Sequence, residues 1–225
     1  IKRYALYTGS MEIEDNCITK FTYKFSPFSA MTGLKPRSFE ISTPVPMIQK
    51  SNEKRGEIRK IDIGKFCIGK VKIDLLVFDR DSSFRARFIE DKRTYGAYLD
   101  ENGGIRVFRD GVRIYDYGEQ GNDWLGLDSS RINTPGKYLS NNLVLGAVQL
   151  DREFSSDLQE KANREGFIEN AAYMEFRDAV SYAINYFTAQ RNIDKESLRI
   201  YLNGGKKEPV KQDVSLIRQK IAVYI

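Results

Sequence analysis

Apolar and polar residues alternate along much of the first part of the chain, and the alternation predicts strands. Tyr4 and Leu6, then Ile13, then Ile18, Phe21, Tyr23 and Phe25 mark short strands, broken at Gly9-Ser10 and at Glu14-Asp15-Asn16 into a small antiparallel meander. Pro27, Pro36, Pro44 and Pro46 make the segment from Ser26 to Pro46 a loop with extended pieces. The charged stretch from Met47 to Lys60 reads as a short helix or a mobile linker. A strong strand follows over Phe66–Asp79, with Phe66, Ile68, Val71, Ile73, Leu75 and Val77 at apolar positions. Phe84 to Asn102 has a loose helical period and stops at Gly103-Gly104.

The pattern then becomes more specific. From Ile105 to Tyr115, apolar residues and arginines alternate on both sides of Asp110-Gly111. Asp-Gly is a favoured two-residue hairpin turn because both positions tolerate positive φ, so this is a predicted β-hairpin. The glycine-rich run from Gly118 to Asp128 reads as a loop, and it carries Trp124, the only tryptophan. Leu143 to Val148 is an apolar strand, and Leu158 to Phe167 is a polar segment ahead of a helix. That helix, Glu169 to Arg191, has the clearest period in the chain, with Ala172, Met174, Phe176, Ala179, Val180, Ala183, Ile184 and Phe187 on one stripe. Asp194-Lys195-Glu196 caps a further turn through Leu202, Gly204-Gly205 breaks the chain, and Val210 to Ile225 is amphipathic. The predicted fold is α+β: a mixed β-sheet with helices on one side and a strand-rich N-terminal extension. Residues 1–60 form an extension or subdomain, 61–203 the main domain, and 204–225 a linker and the start of a C-terminal helix.

Composition narrows the chemistry. The chain of 225 residues has no histidine, which removes histidine acid–base catalysis, Ser-His-Asp triads and most zinc sites. Cys17 and Cys67 lack metal-type spacing, and a reduced pair in the cytoplasm is favoured over a disulfide. No metal site is predicted: Asp123 and Asp128, five apart on a loop, are a weak signal. The longest apolar runs, such as Leu75 to Phe78, are far short of a membrane span, so no membrane partner is expected. A net charge of +5, from 36 basic and 31 acidic residues, permits a nucleic-acid or acidic partner without demanding one.

The order of hairpin, acidic glycine loop, strand Gly146-Ala147-Val148-Gln149-Leu150-Asp151 and segment Asn163-Arg164-Glu165 resembles the second domain of the GHKL ATPases. This superfamily includes DNA gyrase B, MutL, the MORC proteins and the heat-shock 90 kDa chaperones; the resemblance is to its bacterial, histidine-kinase-like members. It covers roughly residues 60 to 190. It implies a transducer or middle domain, a relay for an ATPase domain that binds ATP and magnesium. The motifs of that first domain are missing: Asp62-Ile63-Gly64-Lys65 begins like its adenine turn but lacks the second glycine. The glutamate and asparagine of Gly166 to Asn170 have the wrong spacing for its magnesium helix. With Ile1 at its start, the chain is read as a fragment of a longer ATPase, not catalytic alone, whose first partner is the N-terminal ATPase domain of the same polypeptide.

The resemblance also implies site residues. Arg164 matches the arginine that reaches the ATP γ-phosphate in the chaperones, and Lys161 is placed to assist. Lys137, in a Pro-Gly loop, is the competing candidate, because gyrase B and MutL send a lysine to the same phosphate. A fixed guanidinium or ammonium beside a terminal phosphate stabilises transferring charge and reports whether the phosphate is there. The alternative function is a nucleic-acid or protein binding module without nucleotide coupling, using Arg106, Arg109, Arg113 and Trp124 as its surface. For Trp124 the readings are a partner anchor or, preferred, a cover over the end of the sheet.

Overall fold

The computed structural model describes residues 1–52, 57–133, 138–163 and 165–204. In chain order the strands are β1 (Tyr7–Glu14), β2 (Cys17–Phe25), β3 (Arg37–Ile41), β4 (Val45–Pro46), β5 (Ile48–Asn52), β6 (Glu57–Lys60), β7 (Val71–Val77), β8 (Gly104–Arg109), β9 (Val112–Ile114) and β10 (Val144–Leu150). The helices are α1 (Ser82–Phe88), α2 (Lys92–Asn102), α3 (Leu127–Asn133) and α4 (Ala171–Leu202). The architecture is α+β with a mixed sheet. Among the described residues eight strands share it, in the order β3-β2-β1-β7-β10-β8-β9, with β4 also paired to β2. All pairings in it are antiparallel except β10 with β8, which run parallel. Strand β1 lies between β2 and β7, so strands from both sides of residue 60 belong to one sheet.

Alternation sorts the sheet into two faces. Tyr7, Met11, Phe21, Tyr23, Ile73 and Val148 are buried, while their neighbours Ser10, Lys20, Lys24, Lys72, Asp74 and Gln149 are exposed. Helix α4 covers the buried face. Phe187 packs against Tyr23, with ring centroids 5.5 Å apart, and Tyr186 meets the edge of Phe21 at 4.9 Å. Phe187 also explains why Gly9 does not break β1: a Cβ there would lie 2.6 Å from its ring. The helix fills the space that the missing side chain leaves. The expected break at Gly9-Ser10 is therefore replaced by one continuous strand, and only the Asp15-Asn16 turn remains.

Four other expectations change. The strand expected over 66–79 is confined to β7. In place of the helix or linker expected over 47–60, β5 and β6 pair antiparallel as a separate two-stranded sheet. Arg59 fastens it to α4, donating to Asp178 at 2.5 Å and also pairing with Glu175. The single helix over 84–102 is two helices. Asp91 accepts the Thr94 amide at 2.9 Å and caps α2, so the chain turns out of α1 at Ile89. Conversely, the helix from 171 runs unbroken through Asp194 to Leu202. Its stripe is as expected except at Met174, which is 40% exposed. The proposed C-terminal helix lies outside the described residues. No described helix is long and apolar enough to cross a membrane. Both Cys17 and Cys67 are free thiols.

Candidate functional site

The segment between β10 and α4 folds as a tight turn with an exposed tip and a buried root. Asp110 and Gly111 have φ of 51° and 75°, so the hairpin turns as its sequence demands and delivers Arg109 to the covered face of the sheet. Arg109 is only 6% exposed. One terminal nitrogen donates to the carbonyls of Ser155 and Leu158, each at 2.6 Å, and the other to Glu160 Oε1 at 3.0 Å. The guanidinium also lies over the Phe167 ring, 5.0 Å from its centroid. These contacts hold the base of the turn from both its strands.

Above this base the strands meet. Glu160 bridges Phe167 in antiparallel fashion, and the Lys161 amide donates to Gly166 O at 3.0 Å. At the tip, Asn163 Oδ1 accepts the Glu165 amide at 3.1 Å, and Asn163 Nδ2 donates to the Glu165 carboxylate at 2.7 Å. Lys161, Ala162, Asn163 and Glu165 are exposed. Arg164 lies outside the described residues, as does Lys137. Lys161 is therefore the one phosphate-contact candidate with a described position, and that position is at the exposed tip. Below the root, Asp157 exchanges two hydrogen bonds with the Cys67 backbone, through its carboxylate at 2.8 Å and its amide at 3.1 Å. Asn170 caps α4 through the Tyr173 amide at 2.9 Å and donates to Asp157 O at 3.0 Å.

The other predicted surface divides between two sides. Arg106 and Arg113 lie on the open face with Phe108, the cross-strand partner of Arg113. Burial, and then the charge of Arg113, hold the Arg106 guanidinium below its ordinary pKa. Arg106 donates to Asn102 O at 2.9 Å, and Arg113 pairs with Glu119. Arg109 departs from this surface because it has the parity of Ile105 and Val107, both buried. Trp124 also lies on the covered side. Its indole N–H donates to Ile105 O at 2.9 Å, and its ring stacks on Phe176 of α4 at 5.9 Å.

Asp123 and Asp128 act as structural acceptors. Asp123 takes the amides of Leu127 and Asp128 at the start of α3, at 2.7 and 3.0 Å. Asp128 takes the Ser140 hydroxyl at 2.6 Å, and both carboxylates accept from Asn141 Nδ2. Among the described residues no group of acidic and cysteine side chains is arranged to hold a metal.

Sequence reasoning missed Tyr117, whose hydroxyl accepts the Phe167 amide at 2.8 Å. It also missed Glu160 as an ion-pair partner of Arg109. The only available signal was parity within the hairpin, which puts Arg109 inward and so requires a partner there. A groove of about 690 Å³ lies elsewhere, where Glu14, Lys70, Asp151 and Phe154 gather. Its Lys70 already pairs with Glu12 and Glu14, and the exposed Lys72 lines it as well. The fold and the turn thus define a mixed α+β domain with a clamped loop whose described tip residues are exposed. No protein-family model matches the chain, and no curated protein matches it.

Proposed function

We propose that the chain is the transducer-like second domain of a GHKL-type ATPase. The 160–167 turn would dock on the nucleotide-binding domain and place Arg164, assisted by Lys161, at the ATP γ-phosphate. The carrying observation is the clamped root of the turn: Arg109 binds Ser155, Leu158 and Glu160 at once, while Lys161 stands exposed above it. A phosphate sensor needs this combination, a cation free to meet a ligand on a backbone that does not yield. ATP and magnesium belong to the partner domain in this reading, and this chain supplies the cation and the relay. Lys137 is the alternative cation. The test is ATP turnover by the ATPase domain encoded with this chain, alone and joined to it. Joining should raise turnover, Arg164→Ala should remove the gain, and Lys137→Ala should leave it.

A second reading has its own observation. Arg106 and Arg113 share the open face of the sheet with Phe108, and burial first, then the charge of Arg113, holds the Arg106 guanidinium below its ordinary pKa, so an anionic strand laid across both would offset like charge there. In that reading the chain binds nucleic acid through the open face. Binding of a single-stranded oligonucleotide should then weaken steeply with salt and fall in Arg106→Gln. Salt-independent binding, or none, rejects it.

A further inference from the structure

Tyr117 stands where two loops meet. It opens the loop that carries Trp124 and leads into α3. Its hydroxyl accepts the Phe167 amide at 2.8 Å, in the strand that returns from the 160–167 turn. Its ring packs on Trp124 at 4.9 Å, on Phe167 at 5.7 Å and on Tyr173 of α4 at 6.3 Å. Gly166 sits directly against it: a Cβ there would lie 3.2 Å from the Tyr117 hydroxyl oxygen, and its φ is +84°. The turn can close this tightly only because Gly166 has no side chain. Tyr117 is buried, so neither loop can shift here without disturbing the other through it.

We infer that Tyr117 is a positioning residue that joins the Trp124 loop to the 160–167 turn, so that docking on one loop is transmitted to the other. The functional sense of this link rests on the proposed role of the turn, but the link itself belongs to this chain and is measurable on it alone. It makes Trp124 a native reporter of the turn, since the chain has no other tryptophan.

The test is a double-mutant cycle on the full chain, read at Trp124 by emission wavelength and acrylamide quenching. Gly166→Ala presses a methyl toward the Tyr117 hydroxyl and should change the Trp124 signal. Tyr117→Phe keeps the ring and removes the oxygen, so the same glycine change in that background should move Trp124 much less. Ile18→Val, which lowers stability away from the cluster, should leave the signal unchanged. Independently, Tyr117→Phe should speed hydrogen exchange at the Phe167 amide by roughly fivefold to tenfold, the worth of one hydrogen bond. This arm needs no glycine variant and decides the matter if Gly166→Ala does not fold.

A Trp124 response of equal size with and without the hydroxyl, or unchanged exchange at Phe167, overturns the inference. If the link is found but Arg164→Ala leaves joined ATPase turnover unchanged, the phosphate-sensing role fails while the coupling stands.

Discussion

Arg109 is the residue on which the candidate site depends. A buried guanidinium is costly unless its donors are used, and here its two terminal nitrogens hold two main-chain carbonyls and a carboxylate, while Nε has no partner among the described residues. Replacing it with methionine keeps much of the stem packing on Phe167 but leaves the Ser155 and Leu158 carbonyls without this donor and Glu160 with its Arg152 contact at 3.5 Å. Because Glu160 keeps some access to water, the expected loss is about 2–4 kcal/mol, at the lower end for a broken buried pair. Urea denaturation measures it, and a loss below about 0.5 kcal/mol would show that the clamp contributes no more than an ordinary surface contact. Arg109→Lys should recover only part, since an ammonium cannot reproduce the planar fork. The residue was legible in the sequence as functional-looking but was assigned to the wrong face. Its parity with Ile105 and Val107 places it inward, and its charge drew attention outward. Tyr117 was not legible, because its partner Phe167 is fifty positions away and no local pattern links them.

At the scale of elements, local chemistry was readable wherever period and turn agreed. The hairpin around Asp110-Gly111, strand β10 and the α4 stripe all have both signals. The β5–β6 pairing was missed because it is short and charged and is fastened by Arg59 reaching α4, a contact that no local pattern contains. The break between α1 and α2 was missed because one Asp91 cap outweighs a loose helical period. The contact between β1 and α4 at Gly9 is close, and it yields a prediction. Gly9→Ala should destabilise the chain by about 1–3 kcal/mol through overpacking against Phe187. Phe187→Leu in the same background should be less harmful than the two single changes add up to, by more than about 0.5 kcal/mol in thermal or urea unfolding. Additive losses would mean that α4 shifts freely over the sheet.

At the scale of the whole molecule, the mixed α+β class was legible and the sheet order was not. Strand β8 is parallel to β10 and separated from β7 by it, a non-local arrangement that local periodicity does not encode. That order matters to function because it brings together the hairpin root, the β10 exit and the start of α4. The 160–167 turn therefore grows from rigid elements on every side. A domain of this design suits a relay: α4 runs 32 residues from the turn along the covered face of the sheet. The measurement that tests this account most directly is ATP turnover by the nucleotide-binding domain that the proposed function assigns to the same polypeptide, joined to wild-type chain or to Arg164→Ala. The account predicts faster turnover on joining, and return to the isolated domain's rate when Arg164 is removed. Turnover that joining does not raise, or that Arg164→Ala leaves at the stimulated rate, would contradict it.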